Sequence, residues 1–237
     1  MRAFAALLIL PLPAIAQEIV ATGRGLDAPP GEAAYAVAEI ERERLTETAS
    51  GRLEDVLRDA AGAAQFRRAD SRSAHPTAQG ITLRGLGGNA SSRALLLLDG
   101  VPQADPFGGW VPFPAYLPER LASVRITRGG GSGYHGTGAL AGTIELTSAD
   151  AATLGPLAVT GFYGSRESID LVATGGAKLG AGSLTVAGQF ARGAGFVPIV
   201  AEDRGLADRA APYRQASLAL RSVLPVGENI ELQANLS

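Results

Sequence analysis

Residues 93–147 read RALLLLDGVPQADPFGGW (Arg93–Trp110), VPFPAYLPERLASV (Val111–Val124) and RITRGGGSGYHGTGALAGTIELT (Arg125–Thr147). Two runs of buried type, Ala94–Leu98 and Val124–Thr127, are each followed by a Gly- or Pro-bearing loop too irregular for packed interior. Both runs read as strands, with Thr143–Thr147 as a third. Asp99-Gly100 is a turn signal, and Val101-Pro102 restarts the chain in extended form. Leu117–Leu121 reads as a short helix with Pro118 near its start. The Gln103–Phe113 loop carries Asp105, Phe107, Trp110 and Phe113, an aromatic cluster that is either a ligand-contact surface or a small satellite core. Loops set on a rigid frame are where function is expected.

Upstream of this stretch, Tyr35–Ile40 reads as a strand followed by the charged residues Glu41–Arg44. Within Gly51–Ala61, Leu53, Val56, Leu57 and Ala60 fall at helical spacing. Glu54 and Asp55 suit the first turn and Gly62 the stop, so a short amphipathic helix is expected to pack on the sheet. Gln65–Gly80 is polar, and Ile81–Arg84 makes a brief strand. Two glycine groups, Gly85-x-Gly87-x-x-Ala90 and Gly136-x-Gly138-x-x-Ala141, superficially resemble a dinucleotide fingerprint. The first leads into the apolar strand after Arg93 rather than into a helix that could hold a pyrophosphate, and no βαβ unit continues the second. No Gly-Lys-Ser/Thr follows either, so nucleotide binding is rejected.

From Leu157 the pattern changes to strict alternation. Ile169, Leu171 and Ala173 oppose Ser168, Asp170 and Thr174; Leu184, Val186 and Phe190 oppose Ser183, Thr185 and Gln189. In Gln215–Leu224, Ala216, Leu218 and Leu220 oppose Gln215, Ser217 and Arg221, and in Ile230–Ser237, Ile230, Leu232, Ala234 and Leu236 oppose Glu231, Gln233, Asn235 and Ser237. Soluble half-buried sheets alternate this way, and so do outer-membrane barrel strands. Connection lengths separate the two. Residues 164–167 and 192–212 fall on one side as loops, 178–182 and 225–228 on the other as tight turns, the asymmetry of a membrane barrel. With Leu157–Tyr163 the count is five strands, below the minimum of about eight for closure. A piece of a longer receptor, or a truncated product, is therefore expected.

The opening MRAFAALLILPLPAIAQ places Arg2 before an apolar run and Ala14-Ile15-Ala16 before Gln17, the pattern of a cleaved secretory leader spanning 1–16. No later apolar run approaches the roughly 20 residues of a spanning helix. Loss of the leader removes Arg2 alone, leaving 20 of the chain's 21 basic residues against 23 acidic ones. That balance argues against nucleic acid as a partner. The absence of Cys excludes disulfides and thiol chemistry, and with His75 and His135 the only histidines a His/Cys metal site is not expected. No Gly-x-Ser-x-Gly elbow or triad context appears, so no catalytic residues, cofactor or enzymatic activity are assigned. Glu18–Gly23 (EIVATG) is a short strand-like stretch ahead of the Gly- and Pro-rich Arg24–Gly31. It is open to pairing with a partner sheet, or it is a disordered mature N-terminus.

Taken in order, the leader, Glu18–Gly23, the helix-containing region, LLLLDGVPQADPFGG and ITRGGGSGYHGTGALAGTIELT resemble the plug domain of TonB-dependent outer-membrane receptors. The resemblance implies an α+β plug, a small mixed sheet with short helices, followed by the first antiparallel strands of a transmembrane β-barrel. The implied layout is a signal peptide at 1–16, TonB box and linker at 17–31, plug at 32–150 and the N-terminal part of the barrel at 151–237. It implies import of a scarce nutrient such as a siderophore or cobalamin, with energy supplied through TonB. The other reading is a periplasmic binding or interaction module without transport activity. By the same resemblance Glu18, Ile19, Val20, Ala21, Thr22 and Gly23 would engage the TonB periplasmic domain. Arg84, Arg128 and Glu145 would contact the barrel lumen, with anchoring of the plug's own loops as the competing role. Arg72, His75, Asp105, Phe107 and Trp110, on apical loops, would meet a small-molecule or metal-chelate ligand. Outer-membrane lipid would surround the barrel.

Overall fold

The computed structural model describes residues 35–66, 71–72, 75–85, 92–129, 132–227 and 230–237. The leader and the Glu18–Gly23 segment lie outside these residues, as does most of the first glycine group. The described chain forms two five-stranded sheets and a two-stranded ribbon.

The N-terminal sheet is built around the four leucines. Ala94–Leu98 (β4) is buried along its whole length, because both of its faces are covered and every residue is apolar. It runs parallel to Gly142–Ser148 (β7), Ala94 opposite Gly142 and Leu98 opposite Leu146. Leu121–Arg128 (β6) lies antiparallel on the other side of β7, and Ala36–Glu41 (β1) closes that edge against β6. The two-residue Val101–Pro102 (β5) closes the edge beyond β4, giving the order β1-β6-β7-β4-β5. Ala64–Gln65 (β2) and Ile81–Thr82 (β3) form the ribbon.

The larger of two apolar clusters among the described residues fills most of this unit, with Leu95, Leu97 and Ala139 forming the smaller. Leu45, Leu53, Val56, Leu57, Ile81, Leu83, Leu96, Phe113, Leu121, Ile126, Ile144 and Leu146 meet in the larger, all almost fully buried. Each such side chain contributes about 1.5–3 kcal/mol by leaving water. Leu45 comes from Arg42–Thr46 (α1), a helix that begins within the charged run after the first strand. The expected Gly51–Ala61 helix is shorter and tighter: Leu53–Val56 (α2) passes into a 3₁₀ turn, Leu57–Asp59, and all four expected apolar positions are buried. The Pro118 helix is likewise a single 3₁₀ turn. Ser132–His135 (α3) and a single 3₁₀ turn, Thr137–Ala139, interrupt the second glycine-rich loop, which then passes into β7 rather than into the α-helix a dinucleotide would need.

Ala151–Leu154 (α4), capped by the Asp150 carboxylate accepting from the Thr153 amide at 2.7 Å, leads into the second sheet. This is an antiparallel meander of Ala158–Gly164 (β8), Ser168–Leu179 (β9), Gly182–Gly193 (β10), Tyr213–Val226 (β11) and Ile230–Leu236 (β12). Its register puts the expected apolar set on one face: Leu171 opposite Phe190, Leu184 opposite Ser222, Leu224 opposite Leu232. That face is open, with Leu218, Leu232 and Leu236 57%, 58% and 68% exposed. The opposite face carries the buried Thr174, Thr185, Ala187 and Ala191 and is turned to the N-terminal sheet. The turn at 180–181 and the facing strand ends Val226 and Ile230 lie at the α4 end, and the long connection, 194–212, at the other. No described helix is long and apolar enough to cross a membrane. A sheet crosses by its strands, and those of β9 to β11, at 12 to 14 residues, have the length for it.

Candidate functional site

The chemistry of the molecule lies in the seam between the two sheets, and ion pairs cross it at both ends. At the α4 end Asp99 closes β4 in a left-handed conformation, φ +49°, which Asp tolerates better than most residues. Its carboxylate, only 1% exposed, accepts from the Ser148 amide at 2.9 Å and the Ser148 hydroxyl at 2.6 Å. It also pairs with Arg221 Nε of β11 at 3.2 Å, and Arg221 in turn donates to Gln233 of β12 at 3.2 Å. Close backbone packing secures the same end. The Gly176 amide donates to the Gly155 carbonyl at 2.6 Å, and a side chain on Gly176 would meet Ala151 Cα at 2.5 Å.

At the far end Arg72 donates to Asp170 of β9 at 2.8 Å and lies over the Tyr213 ring of β11, 5.5 Å from its centroid. This loop residue, expected to meet ligand, is engaged with the second sheet. Next to it, Glu54, 2% exposed, shares a narrow crevice with Ser71 and with Gln189 and Gln215 of the second sheet. Burial pushes the Glu54 carboxyl above its ordinary value, with the Ser71 hydrogen bond partly opposing that shift. Burial also raises Tyr116 to about 12 and lowers Arg120, whose guanidinium lies over the Tyr116 ring.

The remaining expected ligand residues sit on two loops that the fold brings together. His75 caps the 3₁₀ turn Pro76–Ala78, its ring nitrogen 2.9 Å from the Thr77 hydroxyl. Asp105 folds its own loop, accepting from the amides of Phe107 at 3.0 Å and Gly108 at 2.6 Å. Trp110 packs close to Gly108, while Phe107 stands at the tip, 99% exposed. Gln79 joins the loops: its carbonyl accepts from the Val111 amide at 2.9 Å and its side chain donates to the Ser71 carbonyl at 3.3 Å. Sequence reasoning passes over Gln79 because nothing in a polar loop marks one glutamine as a buried tie.

The three expected lumen residues make contacts inside the N-terminal unit among the described residues. Arg128 donates to the Ala61 carbonyl at 3.2 Å, Arg84 lies across Gly129, and Glu145 accepts from Thr143 at 3.3 Å. The carboxylate that does cross the seam, Asp99, shows in the sequence only as half of a turn signal. Its partner Arg221 lies far along the chain, and no local pattern announces the pair.

The family model described as TonB-dependent Receptor Plug Domain matches residues 29–143. The sequence matches no curated protein. Among solved structures the chain is similar to the ferric citrate transporter FecA in its unliganded form, at 18% identity over 79% of this chain and 28% of that one, TM-score 0.56. It is similar also to the ferric-catecholate import receptor Fiu of E. coli K12, at 15% identity over 85% and 25%, TM-score 0.61, and to the copper transporter OprC, at 20% over 84% and 30%, TM-score 0.58. The chain thus spans about a quarter to a third of the length of these proteins. A plug-type mixed sheet with short helices, followed by antiparallel strands that do not close a barrel, is the architecture the sequence led us to expect. Residues 29–143 are thus a plug domain of the TonB-dependent receptors, a family of receptors and transporters rather than enzymes.

Proposed function

We propose that this chain forms the plug and the first wall strands of an outer-membrane importer for a scarce nutrient, energised through TonB. The observation that carries this reading is the two-sidedness of β8 to β12. One face is apolar and open, as lipid requires, and the other is small or polar and packed on the plug. Hydrogen bonds and ion pairs across such a seam exchange for water when the plug moves, which a dry apolar interface does not permit. Neighbouring structures bear the names of ferric citrate, ferric-catecholate and copper transporters, which supports a small-molecule or metal-chelate cargo. In this reading the loops joined by Gln79 present Phe107, Trp110 and His75 to the ligand, and Arg72 ties them to the wall. Arg84, Arg128 and Glu145 are assigned to wall strands other than β8–β12. The leader at 1–16 exports the chain to the outer membrane, and Glu18–Gly23 adds a strand to the TonB periplasmic domain. The layout of linker to residue 31, plug at 32–150 and wall from 151 belongs to the same proposal.

The test is capture of the chain by an isolated TonB periplasmic domain. The intact chain should be retained and a chain lacking Glu18–Gly23 lost. Equal retention of both would remove the coupling part of the proposal.

A further inference from the structure

A cavity of about 220 Å³ lies between the β4–β5 hairpin and the inner face of β10 to β12. Its lining includes Gln103, Arg120 and Ser148 from the plug and Thr185, Ala187 and Arg221 from the wall. The charged side chains that line it are both arginines. Arg120 is 8% exposed, held by the Ala115 carbonyl at 3.5 Å and by the Tyr116 ring. Arg221 is paired with Asp99, whose charge also acts on Arg120, and Asp150 outside the lining acts on Arg221, so the side chains that line the cavity itself carry only positive charge. Asp99 also bonds Ser148 at the end of β7. One buried carboxylate therefore holds the hairpin turn, the exit of the plug sheet and the wall together at the cavity's border.

From this arrangement we propose that the Asp99–Arg221 pair is a gate, and that an anionic solute passes the plug along this cavity once the pair opens. The inference rests on the import reading above, but its test needs neither import nor TonB. Breaking the pair frees the β4–β5 turn from β11 and leaves Arg120 and Arg221 facing the space with only Asp150, outside the lining, acting on Arg221. A solute carrying carboxylate, phenolate or another anionic oxygen finds two donors there, whereas a cation is repelled.

The sequence contains no cysteine, so a single introduced thiol reports on this space alone. Thr185→Cys, on the cavity wall, is treated in the detergent-solubilised chain with small thiol reagents of equal size, one a sulfonate and one a quaternary ammonium. Asp99→Asn keeps an acceptor for the Ser148 amide and removes the ion pair. In that background the thiol introduced by Thr185→Cys should react faster than in the parent, and the sulfonate should outpace the ammonium by at least about tenfold. One unit charge at about 10 Å with an effective dielectric of about 20 shifts each reagent's rate by roughly tenfold or more in opposite directions, so tenfold is the floor of the ratio. Arg221→Gln should raise the rate for both reagents and reduce the preference for the anion. A second thiol, Ala141→Cys, sits in the plug core, where Ala141 is fully buried, and should stay protected throughout. Equal rates for the two reagents, or no acceleration in Asp99→Asn, would overturn the gate. So would simultaneous exposure of the Ala141→Cys thiol, which would show that Asp99 only holds the plug folded. Loss of TonB capture with the thiol pattern intact would count against the import reading and leave the cavity assignment standing.

Discussion

At Gly142 the backbone takes φ +136° and β7 passes so close to β6 that an added Cβ would overlap the Thr127 carbonyl oxygen and lie 2.8 Å from the Gly129 nitrogen. Those neighbours are backbone and cannot rotate away, so Gly142→Ala is expected to cost at least about 2 kcal/mol. Urea unfolding of the plug would register it as a lower midpoint with an unchanged slope, and an unchanged midpoint would mean that β6 and β7 can separate there. Glu54 predicts a pH dependence. Burial raises its folded-state pKa above the ordinary 4.5. The folded chain therefore keeps a proton that the unfolded chain releases, and this contribution is present in acid and fades as pH rises through the raised value. Glu119, also raised by burial, acts in the same direction. Glu54→Gln should accordingly gain stability at neutral pH and flatten the dependence above pH 4.5 without abolishing it. Unfolding midpoints across that range provide the check, and a slope equal to the parent's would show that Glu54 does not titrate in the seam.

Among the elements, β9 is the one whose sequence and role fit least obviously. A strand containing Gly175-Gly176 would ordinarily be weak, yet this is where α4 sits: a side chain on Gly175 would meet the Pro156 carbonyl oxygen at 2.7 Å, and one on Gly176 would meet Ala151. Gly176→Ala should lift α4 off the wall at a cost of about 1–3 kcal/mol. Hydrogen exchange would show this as faster exchange of the Gly176 amide while β10 and β11 keep their protection. Much of the element order was legible because burial follows strict periods here. The alternation in Ser183–Ala191 and Ile230–Ser237 could belong only to a sheet with unlike faces, and the four leucines of β4 to a strand covered on both. The short helices were less legible. In α1 a single residue, Leu45, reaches the core from a charged run, and in α4 the sequence Ala-Ala-Thr-Leu has too few turns to show a period. The seam was least legible of all. Asp99 with Arg221 and Arg72 with Asp170 join residues that only the assembled sheets bring together, and an ion pair has no periodicity to read.

For the molecule as a whole, the exposed face of β8 to β12 predicts where substitutions will be felt. Leu218→Arg places a charge on the open apolar face and should cost about 2–4 kcal/mol near the bilayer midplane. The fraction of chain folded into lipid vesicles across a urea series measures it, and indifference to the change would deny that this face meets lipid. The placement of β1 has a mechanical consequence. It runs from Ala36, opposite Arg128, to Glu41, opposite Ser123, so its first residue lies at the end of the sheet away from Asp99. A force drawing the preceding chain back toward the Asp99 end meets the β1–β6 hydrogen bonds in sequence, as a zipper, rather than all together in shear. The peeling reaches Arg42, whose guanidinium donates to the carbonyls of Glu119 and Leu121. The plug can thus yield one strand at low tension and then stiffen at a single side chain, which makes Arg42 a mechanical stop between the first displacement and the unravelling of the core.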